Sequence, residues 1–267
     1  MSTHQKCALI TGSSRGIGRG IALKLAQGGV RIAVNYLQNK MAAEDTLRQV
    51  RAAGSDGFLI QADVSQPDDI RHLFNTVQTE FGKLDIFVGN ARPEAATFFY
   101  PPLEITLEQW DTAVDSQAKA FLVAAREAAR LMPDGGRILA ITYATGSRTG
   151  GLQPWVGMGA AKAAMEALVR YYAVALAPRG ITVNAISPGW TEDSVLNSLP
   201  EPVQDLLRKW HRAGWTPMRR LGTPADIGNV AALLCSQDAG WITGQVINAD
   251  GGASLMNPEV APEIQLG

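Results

Sequence analysis

The stretch Cys7–Gly18 reads CALITGSSRGIG: an apolar strand, Cys7–Thr11, runs into the turn Gly12-Ser13-Ser14-Arg15-Gly16-Ile17-Gly18, and a helical pattern over 17–27 follows. Glycines in such a turn permit positive φ and let backbone approach a ligand closely. The helix that follows offers unpaired N–H groups and a favourable dipole. A glycine trio alone is a weak signal, but between a strand and a helix it predicts a pyrophosphate cradle formed by Gly12, Ser14, Arg15, Gly16, Ile17 and Gly18.

Outward from that turn the same alternation continues. Further strands are predicted at Arg31–Tyr36, Gly57–Gln61, Leu84–Val88, Arg137–Ile141, Ile181–Ile186 and Val246–Asn248, with helices near 17–27, 40–53, 67–81, 106–132, 155–177 and 224–236. Six crossovers between seven strands imply an α/β fold with a doubly wound, mostly parallel sheet and helices on both faces. Ligands of such a sheet lie beyond the carboxyl ends of its strands. The 267 residues carry no Pro/Gly/Ser-rich or charged linker, so one domain over 1–267 is expected. The stretch 187–223, with Trp190, Trp210 and Trp215, breaks the pattern and reads as irregular chain, forming either a substrate lid or a plain surface excursion, of which the lid is expected. The tail after Gly252 reads as peripheral.

The second strand ends Val34-Asn35-Tyr36, without the carboxylate that would hold the ribose hydroxyls of NAD. Arg15, with Lys40, is suited instead to a 2′-phosphate, so NADPH is expected over NADH. Asp63 and Val64 follow the third strand, where Asp63 reads either as an acceptor for the adenine amino group or as a turn residue. Tyr36 and Val64 join the expected cofactor contacts.

Composition narrows the function classes. The chain is 46% hydrophobic and 18% charged with net charge −1, which argues against nucleic acid as a partner. No run of about 18 apolar residues suggests a membrane span, and no secretory h-region is seen at the start. Cys7 and Cys235 read as buried free thiols, suited to a reducing cytoplasm. Three histidines without ligand spacing give no metal site.

A second stretch, Pro154–Lys162 (PWVGMGAAK), holds the chemistry. Trp155, Met158 and Lys162 fall on one face of a helix starting near Pro154, opposite the strand end Ile141-Thr142-Tyr143.

Together the glycine loop, Ala62-Asp63-Val64, Gly89-Asn90-Ala91, Lys162, Asn184-Ala185-Ile186-Ser187-Pro188-Gly189 and Asp250-Gly251-Gly252 resemble the short-chain dehydrogenase/reductase superfamily over nearly the whole chain. The resemblance implies a single Rossmann domain, a nicotinamide cofactor and a homotetramer or homodimer. It places Asn90 near the cofactor, Lys162 on the nicotinamide ribose, and Ile186–Gly189, including Pro188 and Gly189, behind the nicotinamide ring. Thr191 stands in for a threonine that touches the nicotinamide amide, since Asp193 occupies the usual position.

The ketoreductase pattern of that superfamily has Tyr four residues before Lys, Ser at the end of the fifth strand, and Asn in the preceding helix. Here those places hold Met158, Tyr143 and Gln117. VGMGAAKAAMEALVRYYAVALAPRGITVNAIS is similar instead to the enoyl-acyl-carrier-protein reductase branch, including its bacilli-type members, with Met158 and Lys162 in register. Trp155 replaces that branch's substrate-facing tyrosine, and Arg92 replaces the glycine after Asn-Ala. An enolate is less basic than an alkoxide, so a preorganised donor carries much of the burden of enoyl reduction. The catalytic expectation is therefore Tyr143 as donor to the enolate oxygen, Lys162 positioning the cofactor, and Trp155 shaping the acyl pocket of a small-molecule, CoA-linked or acyl-carrier-protein-linked substrate. Indole N–H donates a hydrogen bond but supplies no proton. Two other readings stay open: reduction of another C=C, C=N or C=O bond, and a cofactor-binding protein with little redox activity.

Overall fold

The computed structural model describes residues 5–93, 99–143, 154–193, 195–257 and 259–266. Seven strands form one sheet in the order β3-β2-β1-β4-β5-β6-β7, every described pairing parallel. They are β1 (Cys7–Ile10), β2 (Arg31–Tyr36), β3 (Gly57–Gln61), β4 (Ile86–Gly89), β5 (Arg137–Ile141), β6 (Thr182–Pro188) and β7 (Val246–Ala249). The order reverses between β1 and β4. That is the switch point at which such sheets bind ligands.

Helices α1 (Gly16–Gln27), α2 (Lys40–Ala52) and α3 (Pro67–Phe81) follow the first three strands. Side chains alternate across β1, so neighbours enter opposite layers. Leu9 packs with Phe87, Leu73 and Phe121 on one face, while Ile10 packs with Ile21, Val34 and Ile227 on the other. Local chemistry sets the helix ends. Pro67 opens α3 with Asp68 and Asp69 in its first turn, and Gly82 closes it at φ 76°.

The helix expected over 106–132 is divided. Thr106 and Gln109 form a capping box for α4 (Leu107–Val114), a π-helical turn occupies Asp115–Lys119, and α5 (Ala120–Leu131) continues. The wider turn buries Ser116 and Gln117, and such turns gather at functional sites. α6 (Val156–Leu176) follows β5, with Trp155 at its N-cap.

The stretch 187–223, apart from residue 194, is largely helical, contrary to the irregular chain expected. A 3₁₀ turn at Val195–Ser198 precedes α7 (Glu201–Trp210) and a π turn at His211–Trp215. Pro200 at the N-cap and Pro202 in the first turn start α7, whose apolar residues Val203, Leu206 and Trp210 recur at helical spacing. The two feet of the excursion are tied by a parallel bridge between Thr191 and Gly222. α8 (Pro224–Leu234) then returns to the sheet against α1.

The C-terminal tail is less peripheral than expected. It ends in α9 (Pro262–Gln265), whose Pro262 is buried; a Cβ on Gly214 of the π turn would come within 2.9 Å of Pro262. Among the described residues no helix is long and apolar enough to cross a membrane, and no cluster of His, Cys, Asp or Glu is placed to hold a metal ion.

Candidate active site

The glycine turn sits at the carboxyl end of β1, beside the end of β4. Gly12 has φ 63°, and a side chain there would meet the Ala91 backbone at 2.9 Å. A side chain on Gly18 would strike the Gly12 carbonyl at 2.5 Å and the Asn90 amide at 2.6 Å. Both positions therefore require glycine, and the bare backbone leaves α1's first turn open to an anion. Asn90 Nδ2 donates to the carbonyls of Thr11 and Gly12 at 2.9 and 3.2 Å. Thr11 Oγ1 accepts the backbone N–H groups of Asn90 and Ala91.

The sequence reading passed over two residues that hold this cradle. Asn35, 2% exposed in β2, accepts the Gly12 N–H at 3.0 Å and donates towards the carbonyls of Ile60 and Ala62 beside it. Its signal was a lone polar residue in the otherwise apolar core of RIAVNY. Arg19 grips the Ser14 carbonyl through Nε and Nη2 and pairs with Asp45 at 3.2 Å, while Thr46 donates to the same carbonyl. Its signal was helical spacing from the turn, indistinguishable in sequence from an ordinary surface arginine.

The selectivity residues lie around this cradle. Arg15 is exposed at the N-cap of α1, at the rim of the turn. Tyr36 is buried at the end of β2, and the residues that follow it, Leu37-Gln38-Asn39, bring no carboxylate. Lys40 is paired with Glu44 at 3.7 Å. The residues present thus fit a dinucleotide bearing a 2′-phosphate. Asp63 shows its turn role: Oδ1 accepts the Ser65 N–H at 2.9 Å, and the backbone N–H of Asp63 is held by Asp69. Val64 packs against the core.

On the β6 side, Gly189 closes the strand with Asp250 so near that a Cβ would meet it at 2.8 Å. Thr191 is buried, and its hydroxyl donates to the Gly189 carbonyl at 2.9 Å. It braces the backbone after Pro188 in this geometry. Asp193 stands at φ 49°, an uncommon conformation for a non-glycine residue, where the chain leaves this brace.

Tyr143 and Trp155 are brought together, and Lys162 is tied to the strand end that leads to Tyr143. Lys162 is buried, and its Nζ donates to the Ile141 carbonyl at 2.7 Å, two residues before Tyr143. Burial pushes the ammonium down to about 7; the Arg92 charge acts in the same direction and Glu166, one turn along α6, opposes both. Tyr143 stacks on Trp155, with ring centroids 5.5 Å apart and planes 19° from parallel. Trp155 is 5% exposed and packs with Met158 and with Val195 of the 3₁₀ turn before α7. Phe99 meets its ring edge-on at 5.9 Å. Met158 stands a helical turn from Lys162 and brings no ionisable group. Gln117, held inward by the π turn, donates Nε2 to the Ala91 carbonyl at 3.2 Å and so tethers the loop after β4.

A buried amine and a phenol at the end of β5 and a glycine cradle at the end of β1 lie along the same carboxyl edge of the sheet. The arrangement suits hydride transfer with a hydrogen-bond donor at the acceptor's oxygen. Known proteins agree in kind. The family model described as Enoyl-(Acyl carrier protein) reductase matches residues 12–254. A 1-cyclohexenylcarbonyl-CoA reductase of Streptomyces collinus is 37% identical over 261 residues, 96% of this chain and 89% of the relative. A 3-oxoacyl-[acyl-carrier-protein] reductase of Staphylococcus epidermidis is 34% identical over 249 residues, 92% of this chain and 98% of the relative. The crystal structure of the angucycline C-6 ketoreductase LanV with bound NADP superposes with a TM-score of 0.83 at 34% identity, covering 94% of this chain and 96% of LanV. With these likenesses spanning nearly its whole length, the chain belongs to the short-chain dehydrogenase/reductase superfamily of oxidoreductases.

Proposed function

We propose that the protein reduces the C=C bond of an enoyl thioester, carried on CoA or an acyl carrier protein, at the expense of NADPH. The observation that carries the reading is Met158 in place of a phenol one turn before Lys162, with Tyr143 fixed at the strand end against Trp155. Carbonyl reduction makes a strongly basic alkoxide that needs an acid at the moment hydride arrives. Enoyl reduction makes a thioester enolate, which a fixed hydrogen-bond donor stabilises.

Bound NADPH supplies the hydride, which goes to Cβ. The cradle from Gly12 to Gly18 holds the pyrophosphate, with Arg15 at the 2′-phosphate. Lys162 positions the ribose, and Tyr143 donates to the thioester oxygen as charge develops there. Trp155 backs the phenol. One proton from solvent to Cα completes the balance: enoyl thioester, NADPH and a proton give the saturated thioester and NADP⁺. The description of the matching family model and the name of the Streptomyces relative support this reading. The Staphylococcus relative and LanV support reduction of a C=O bond as the second reading. The buried free thiols Cys7 and Cys235 suit a cytoplasmic enzyme. The exposed apolar residues of α6, Tyr171 and Val174, suit pairing with a second copy in a homodimer or homotetramer.

The test follows NADPH absorbance with crotonyl and longer enoyl thioesters beside acetoacetyl thioesters. Enoyl turnover is expected, with Tyr143→Phe lowering kcat by about a hundredfold and Trp155→Phe by far less. Turnover of the oxo substrates alone would refute the proposal, and the reverse ranking of the two variants would refute the role given to Tyr143.

A further inference from the structure

The stacked rings beside Lys162 extend past the reacting position. Tyr143 lies nearly parallel to Trp155, and Phe99 stands edge-on to the same indole, so three aromatic rings form a continuous ladder. The ladder is set by backbone as well as packing: a parallel bridge pairs Tyr100 with Trp155, locking the segment after β4 to the entry of α6. Trp155, at 5% exposure, is the backing of the ladder. Phe99, at 44%, is its outer face, and Tyr143 is half-buried at the chemical end. An acyl group whose carbonyl reaches Tyr143 lies within two ring contacts of Phe99.

Aromatic faces held in this way discriminate by shape. Offset and edge-on contacts favour a second flat ring, and a ring-bearing ligand gives up fewer rotamers on binding than a linear chain of equal carbon number. Phe99 has two side-chain torsions, and Trp155 already fixes one edge of its ring. We propose that the Phe99–Trp155–Tyr143 ladder is the acyl-selecting wall of the site, and that it takes α,β-unsaturated thioesters whose acyl group is a six-membered carbocycle or an aryl ring in preference to linear ones. This rests on the enoyl-thioester reading and adds the class of acyl group to it. Phe99 is the residue that sets the preference.

The experiment compares kcat/KM for 1-cyclohexenylcarbonyl-CoA and cinnamoyl-CoA with that for crotonyl-CoA and trans-oct-2-enoyl-CoA. The parent enzyme is expected to favour the ring substrates by about tenfold or more, the size of one aromatic contact to a bound ring. Phe99→Ala is expected to lower kcat/KM about tenfold for the ring substrates but less than about threefold for crotonyl-CoA, with NADPH affinity unchanged. Phe99→Leu, which keeps apolar bulk but removes the ring, is expected to fall on the side of Phe99→Ala. A parent that favours linear substrates, or a Phe99→Ala that lowers both classes equally, overturns the wall and leaves enoyl reduction standing. If oxo substrates alone turn over, the enoyl reading fails separately. The wall is then judged by calorimetric affinity of the NADP⁺-loaded enzyme for cyclohexanecarbonyl-CoA against butyryl-CoA, where equal affinities overturn it.

Discussion

Lys162 shows how one residue can be costly to the fold and central to the proposed chemistry. Its ammonium is buried and lies in the field of the Arg92 charge, so its pKa falls from 10.5 to about 7 although Glu166 opposes the shift. Below about pH 7 the group is charged in both the folded and unfolded chains, and the folded protein bears the full cost of burying it. As pH rises through about 7 towards 10.5 the folded form sheds its proton before the unfolded form does, and the cost fades. Stability from this residue therefore increases with pH across that window. Lys162→Met, which is never charged, is expected to gain relative to the parent at about pH 6 and to lose about 2–4 kcal/mol of that relative advantage by about pH 10, read from paired denaturant melts of the cofactor-free proteins. A difference between the two that does not move with pH would show that the lysine keeps its proton throughout. At the same scale Asn35 makes the opposite bargain. It is buried and polar, and its amide is spent entirely on tying the glycine turn to the ends of β2 and β3.

At the scale of elements, legibility followed periodicity. The strands β2, β3 and β5 have the bounds their β-branched runs suggested, and α3 spans the 67–81 expected for it. The glycine turn was legible because a strand, three glycines and a helix leave few other uses. The π turn at Asp115–Lys119 was not, because one residue of register slip leaves an alanine-rich helical pattern intact. The stretch 187–223 reads as irregular although Val203, Leu206 and Trp210 recur at helical spacing, because α7 is short and stands among Pro200, Pro202 and Pro217. What holds α7 is partly ionic: Arg208 pairs with both oxygens of Glu192 at 3.0 Å, joining the helix to the chain that follows Thr191. The pair is solvent-accessible, so its worth to global stability is small. Its worth to the placement of α7 is larger in proportion. Arg208→Ala is expected to leave the melting temperature nearly unchanged, to speed amide exchange across α7, and to raise KM for the acyl substrate several-fold more than KM for NADPH, on the order of fivefold. Unchanged exchange in α7 would show that the helix is held by other contacts.

For the molecule as a whole, the sheet collects what the chain scatters. The glycine turn, Asn90, Tyr143 and Pro188–Gly189 are far apart in sequence. They meet because β1, β4, β5 and β6 lie side by side and all point the same way. That is why the site was readable as separate motifs, while the contact of Phe99 with Trp155 was not: it depends on how the segment after β4 meets the entry of α6, which no local pattern encodes. The same architecture leaves α6 with two faces. Met165 and Val169 are buried in the core, while Tyr171 and Val174, each 78% exposed, stand outward, and Leu122 of α5, whose carbonyl accepts the Tyr172 hydroxyl, is 45% exposed. A monomer gains nothing by exposing these side chains, whereas a second copy meeting them across a two-fold axis removes them from water on both sides at once. The proposed assembly therefore predicts that the parent sediments as a dimer or tetramer. Tyr171→Asp combined with Val174→Asp, which buries like charges against their own symmetry mates, is expected to shift it to monomer by at least about tenfold in dissociation constant, while circular dichroism and NADPH binding stay those of the folded chain. A parent that sediments as a monomer at micromolar concentration, or a double variant that associates as tightly as the parent, assigns this face to solvent.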